Sequence, residues 1–381
     1  KLGWDELLFG DGLAQIAATH GQGDVQGLSS GQVGGTAGVQ SGGFDPNIYT
    51  AEAKGIALGY PDKTSLAWFA QRSMAVYGQN GHVPDVPTLM VQGTVDTLFN
   101  VNEAWANHDE MEAAHPGLPV KLIAFCGGHV SCPTGGAPQG INYQSTSSSG
   151  SVIAPSTSAS TYTEAQTIQW FDVYLRGHDK NGNAVTDTQP EVVYQDQNGN
   201  FWPASTFPTV SDPGASYFDV VPVKGQLLST GVPTGFGPAG EATVVTDGAS
   251  AANDPGALTV PVVTAKGKDV QIVGEPHISA SVEVQGTSTD LFFRLIDEAT
   301  GQVVDLQTSA LRIDNVAGGQ GGLLAAATTP VTISLDMVGV AYDLPAGDTL
   351  ELQVATSGPS FVPNRGSSVV TIDGNVSIPT M

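Results

Sequence analysis

The spacing of apolar residues divides the chain into three stretches. Residues 1–86 are glycine-rich and mostly aperiodic, with short helical patterns at Trp4–Leu13 and Ser65–Tyr77 (Leu66, Trp68, Phe69, Met74, Val76). Residues 87–177 carry long-element signals. Pro87–Gly93 is a continuous apolar run ending in glycine, as expected of a strand buried on both faces. Asn102–Ala114 reads as a helix stopped by Pro116-Gly117, and Val120–Phe125 as a second apolar strand. Glu164–Arg176 has helical spacing, with Ile168, Phe171, Tyr174 and Leu175 predicted to face inward and Gly177 to end it. This order predicts a right-handed crossover unit of a parallel sheet.

From about Glu191 the period changes to two. Ile278, Ala280, Val282 and Val284 alternate with Ser279, Ser281, Glu283 and Gln285. Val331, Ile333 and Leu335 follow the same rule, as do Leu350, Leu352 and Val354. Such runs, separated by Gly, Pro and Asp, predict antiparallel strands of a β-sandwich with one wet face. The fold class is therefore α/β followed by all-β, with boundaries expected at 1–86, 87–190 and 191–381.

Composition narrows the partners. Thirteen basic against 37 acidic side chains leave a formal charge of −24, which repels phosphate backbones and anionic membranes. No apolar run is long enough to span a bilayer. Few charged side chains and much Gly, Ser and Thr suit a secreted or cell-surface protein. The chain opens Lys-Leu-Gly-Trp without an initiator Met, which fits a processed or fragmentary chain. Its two cysteines, Cys126 and Cys132, flank His129. They suit a local disulfide in an oxidising compartment better than zinc, which needs about four ligands; two inert thiols are the third reading.

Candidate chemistry collects past the carboxyl ends of the two apolar strands, where open parallel sheets hold their functional groups. Asp96 follows the first and His129 the second, behind Gly127-Gly128. A carboxylate bonded to one imidazole nitrogen, with the other free to take a serine proton, is the acid–base half of a catalytic triad. A turn Asp and a loop His in a glycine-rich bend would look the same. His108, Glu112 and His115 lack the spacing of a zinc helix and read as solvated helix surface. Asp179–Asn183 begins like a calcium loop but lacks Gly at the sixth position (Ala184) and Glu at the twelfth (Pro190), so it reads as a polar turn.

Val91–Phe99 together with Phe125–Cys132 resembles the acid and histidine segments of the CocE/NonD hydrolases, relatives of the X-Pro dipeptidyl-peptidase (S15) family. Trp170–Gly177 resembles the helix after their histidine. Ile272–Pro276, Thr289–Phe293 and Ala341–Gly347 resemble their C-terminal jelly roll, and Lys1–Trp4 with Phe44–Ile48 their helical cap. The resemblance implies a serine hydrolase of acyl-enzyme type with Asp96 as acid, His129 as base, no metal or organic cofactor, and a small ester, amide or peptide substrate. It also implies a nucleophilic serine on a strand-to-helix elbow earlier in the chain. Ser29, in Gly27-Leu-Ser-Ser-Gly31, matches the short motif, but no apolar strand precedes it and no helix follows. The serine is thus expected on an N-terminal fragment of the same precursor, as a partner chain. The alternative is a non-catalytic hydrolase-like protein, or a glycan- or surface-binding one that uses the jelly roll.

Overall fold

The computed structural model describes residues 45–58, 61–128, 132, 144–147, 151–155, 162–207, 216–217, 221–230, 256–286, 290–313, 330–356, 358, 361 and 367–380. The helical pattern at Trp4–Leu13 lies outside them. The molecule is mostly β-strand with few helices. Among the described residues three helices come first: α1 (Pro46–Leu58), α2 (Lys63–Ala70) and α3 (Met74–Gln79). The single helical pattern at Ser65–Tyr77 is thus two helices. The Ser73 hydroxyl accepts from the Val76 amide and restarts the chain as a new N-cap. Arg72 lies over the Trp68 ring, 3.5 Å from its centroid, across the break.

Strand β1 (Thr88–Gly93), helix α4 (Val101–Ala114) and strand β2 (Val120–Phe125) follow, with β1 and β2 parallel and in register from Thr88↔Val120 to Gly93↔Phe125. Asn100 caps α4, accepting from the Glu103 amide at 3.3 Å. The buried stripe Val101, Ala104, Trp105, His108 and Met111 has the three- and four-residue spacing of one helix face. His108 is therefore not on the solvated surface expected for it. Its ring stacks on Trp105 at 4.4 Å, and its Nε2 lies 3.1 Å from both Val120 O and Glu191 Oε1.

A hairpin, β3 (Gln144–Ser147) and β4 (Ser151–Pro155), precedes α5 (Tyr162–Phe171), which continues as a π-helix over Asp172–Arg176 and stops at Gly177 in the left-handed region. Here the expected face is wrong. Ile168, Phe171 and Leu175 are 61%, 50% and 76% exposed, while Tyr162 and Trp170 are the buried positions. Tyr162 stacks on Phe201 at 4.4 Å and so fixes the roll of the helix. The π turn widens the spiral and lets Tyr174 reach Asp187 at 2.6 Å.

The boundary expected at Glu191 falls just before two further strands of the first sheet. Strands β5 (Val192–Gln195) and β6 (Phe201–Ala204) belong to the first sheet, in the order β1-β2-β5-β6, with β5 parallel to β2. Val192, Val193 and Tyr194 are buried in succession, the signature of a strand covered on both faces rather than an alternating one.

The remaining strands are β7 (Ser216–Tyr217), β8 (Val221–Thr230), β9 (Leu258–Thr264), β10 (Val270–Gly274), β11 (His277–Gly286), β12 (Asp290–Asp297), β13 (Gln302–Val303), β14 (Ser309–Arg312), β15 (Val331–Asp336), β16 (Val340–Leu344), β17 (Thr349–Ala355), β18 (Ser367–Ser377) and β19 (Pro379–Thr380). They pair as β16-β10-β19-β7, β15-β11-β18-β8 and β13-β12-β17-β9, with β14 on β12, antiparallel throughout. Ile278, Ala280, Val282 and Val284 from β11 meet Leu291, Phe293 and Leu295 from β12, and Leu350, Leu352 and Val354 from β17, in one core. A second core joins the two halves. Val273 and Ala341 of the sandwich pack with Val101, Trp105, Leu122, Ala124, Tyr194 and Phe207. Asn102 reinforces the junction, donating to Met337 O at 3.1 Å and accepting from the Gly339 amide at 2.6 Å.

Candidate functional site

Strand β1 ends in a tight turn at Thr94–Phe99. The Thr94 amide donates to Phe125 O at 2.8 Å, which extends the β1–β2 pairing by one step. Asp96 then turns the chain. Its Oδ1 accepts from the Leu98 amide at 2.9 Å and the Phe99 amide at 3.0 Å, and the residue is buried. Two backbone donors on one oxygen leave the carboxylate little rotational freedom.

The end of β2 packs directly onto this turn, and glycine makes that possible. A Cβ at Gly93 would lie 2.0 Å from Gly127 O. A Cβ at Gly128 would lie 2.6 Å from Asp96 Cβ, and Gly128 has φ +147°, which L side chains rarely adopt. The segment after β2 thus runs in contact with Asp96 up to the residue before His129. His129 itself lies outside the described residues, as does Ser29. Cys126 and Cys132 are joined by a disulfide with Cα atoms 5.2 Å apart, closing the six-residue step that contains His129. The Cys126 amide donates to Gln195 Oε1 at 3.1 Å, which ties the loop's base to β5.

From the far side the sandwich reaches the same turn. Val304–Leu306 forms a single 3₁₀ turn in which Asp305 (φ 49°) and Leu306 (φ 57°) are left-handed, the two non-glycine residues with positive φ among those described. Leu306, like Leu98, packs against the cluster of Val95 and the disulfide pair. Gln307 Nε2 donates to Thr94 O at 2.6 Å and to Asp96 O at 3.1 Å. Sequence reasoning missed all three residues. No local pattern announces them, because their partners lie far along the chain, 36 residues away for Asp305 and 213 and 211 for Gln307.

Beside them is a set of buried acids. Asp305 Oδ2 accepts from the Ala341 amide at 2.7 Å, while Oδ1 has no hydrogen-bond partner among the described residues. Burial pushes the Asp305 carboxyl up to about 7; the Ala341 bond opposes this and nearby Asp196 adds to it. Asp343 is raised to about 6, by burial first and then by Asp196 and Asp269. Asp196 takes the amides of Asn198 and Asn200 and the indole of Trp202.

The other candidates resolve simply. His108, Asp109 and Glu112 offer atoms within 4.8 Å of one another, but both ring nitrogens of His108 already have partners. Burial lowers the His108 pKa, yet the Asp109 and Glu191 carboxylates outweigh it and hold it above the ordinary value. Asp179 accepts from the amides of Asn181 and Asn183 and from the Asn183 side chain, a closed polar turn. No helix among the described residues is long and apolar enough to cross a membrane.

The architecture is that of a β-rich protein in which an antiparallel sandwich is sealed to a parallel crossover unit. Residues 183–378, more than half of the chain, match the X-Pro dipeptidyl-peptidase C-terminal non-catalytic domain, and the chain belongs to that family. The relation to the S15 hydrolases expected from the sequence therefore holds. Among solved structures, an α-amino acid ester hydrolase is similar at 14% identity and TM-score 0.58, over 88% of this chain and 62% of that one. An aminopeptidase from the marine sediment archaeon Thaumarchaeota archaeon is similar at 14% identity and TM-score 0.59, over 96% and 63%. A CocE/NonD family hydrolase from Staphylococcus aureus aligns at 14% identity and TM-score 0.49, over 78% and 55%. At such identity the first two likenesses concern the fold alone. The chain spans about three-fifths of the length of those two proteins. A search of curated protein sequences gave no match.

Proposed function

We propose that this chain is the C-terminal part of an acyl-enzyme serine hydrolase, with β1, α4, β2 and β5 as the closing half of an α/β-hydrolase sheet. Asp96 serves as the triad acid and His129 as the base. The observation that carries this reading is the packing of Gly128, the residue before His129, onto the buried Asp96 turn. In this scheme His129 takes the proton of a serine hydroxyl as its oxygen attacks an ester or amide carbonyl, and passes it to the leaving group. Water then enters with His129 again as base, while Asp96 holds the imidazole in the productive tautomer and steadies its charged form.

The serine belongs to a companion segment. Support comes from β1, which has no strand on its outer side among the described residues. Beside that edge runs a groove of about 610 Å³ lined by Met74, Val86, Met90, Val91, Phe99 and Met111, among others. An open, apolar parallel edge is a place for further strands. The Cys126–Cys132 bond supports an oxidising, extracellular setting.

Turnover of p-nitrophenyl acetate by the chain, with whatever polypeptide co-purifies, tests the assignment. His129→Ala is expected to lower kcat by about 10⁴-fold or more and Asp96→Asn by a similar factor. A fluorophosphonate probe is expected to label the companion and not Ser29. Full activity in either variant, or labelling of Ser29, refutes the reading.

A further inference from the structure

We infer that Gln307 is a positioning residue for Asp96, the link through which the sandwich sets the orientation of the acid. This rests on the role proposed for Asp96. Gln307 is buried, and its terminal amide reaches two carbonyls, Thr94 O and Asp96 O, one on each side of the fully buried Val95. A primary amide has two N–H donors, one for each carbonyl, so the peptide planes between Thr94 and Val95 and between Asp96 and Thr97 are held from the sandwich.

The direction of the Asp96 carboxylate follows from those planes. Its Oδ1 is held by the Leu98 and Phe99 amides of the same turn, so a turn that rotates carries the carboxylate with it. The way Gln307 is delivered points to the same role. Asp305 and Leu306 are left-handed in succession, a conformation unfavourable for residues with a Cβ and kept only where surroundings impose it. Those surroundings are the Ala341 amide on Asp305 and the Val95–Leu98–disulfide cluster on Leu306. The backbone is thus bent so that two successive side chains, Leu306 and Gln307, meet the acid turn and the base of the histidine loop.

The test uses the chain with its co-purifying companion and p-nitrophenyl acetate. Gln307→Ala is expected to lower kcat about 10- to 100-fold, as a small misplacement of a catalytic group does, with KM within about twofold. The acid limb of its kcat/KM profile should move to lower pH, because a loosened Asp96 stabilises the His129 imidazolium less. Unchanged kcat and an unchanged limb would overturn the inference. Should that variant fail to fold, Gln307→Glu decides. Its side chain can donate when protonated near about pH 5 but repels both carbonyls when charged near about pH 8, so its deficit against wild type should grow with pH; a flat ratio refutes the role. Asp96→Asn measured in parallel separates the two ideas. If it is fully active, the hydrolase reading falls, and the positioning claim is then judged by amide exchange at Leu98 and Phe99. Faster exchange in Gln307→Ala supports it, and unchanged exchange overturns it.

Discussion

Two sheets of this molecule have opposite edges. In the sandwich, β12 lies between β17 and β14, and seven of its eight residues are buried. In the crossover unit, β1 pairs among the described residues with β2 on one side only, and a single residue of its six, Gly93, is buried. Both strands carry a block of successive apolar residues, Leu291–Phe293 in β12 and Leu89–Val91 in β1, yet one completes a core and the other borders a groove. The difference teaches that the sandwich closes its own apolar surface, whereas the parallel sheet presents an apolar margin at the turn that bears Asp96.

The sharpest way to break this comparison is one substitution made in both places. Val282 is 1% exposed and Val91 is 40% exposed. Val282→Lys buries an unpaired ammonium and is expected to cost about 4 kcal/mol or more, enough to unfold the sandwich in a denaturant titration. Val91→Lys should leave the midpoint of the same titration within about 0.5 kcal/mol, while reducing the amount of companion polypeptide recovered. Equal losses in both variants would show that the β1 edge is covered as well as the core.

A smaller effect is expected at the histidine loop. Replacing Cys126 and Cys132 together by Ser should cost about 2 kcal/mol, since the closed loop is short. Turnover should fall further than the lost folded fraction explains, because the loop's brace is gone. Reversible loss of activity on mild reduction of the wild type would say the same.

The smallest effect lies at the junction and depends on pH. The folded-state pKa of Asp305, about 7, lies above its ordinary 3.8, so the folded protein keeps a proton that the unfolded chain has released. Its stabilising contribution is whole below about pH 4 and is lost as pH rises through about 7. Asn tolerates the left-handed backbone and stays neutral, so Asp305→Asn should flatten that decline and gain on the order of 1 kcal/mol near pH 8. Thermal melts across pH 4–8 check it. Asp343 leaves a residual slope that ends near its own value of about 6.

Much of the fold was legible because the pattern and the packing obey the same period. Strand β2 begins and ends where its apolar run does, α4 is off by one residue, and β11 buries Ile278, Ala280, Val282 and Val284. Legibility failed wherever a distant contact overrode the local pattern. The α5 helix was read from spacing alone, but Tyr162 and Phe201 decided its roll. His108 looks like surface because it is polar, yet Trp105, Val120 O and Glu191 give it a buried place. Of the candidate site, Asp96 could be named from its position after an apolar strand and the cysteines from their placement around His129, and Gln307 could not.

The bond from Gln307 to Asp96 O spans 211 residues of sequence. A chain that leaves the ribosome N-terminus first, at about 5–20 residues per second, therefore waits roughly 10–40 s between exposing the acid turn and exposing the side chain that secures it. Once β2 and then β5 have emerged, well within that interval, the parallel strands can already pair while the turn is unsecured. Under the role proposed for Asp96, competence for catalysis arrives late in biogenesis, timed by the emergence of the sandwich rather than by the folding of the sheet that carries Asp96.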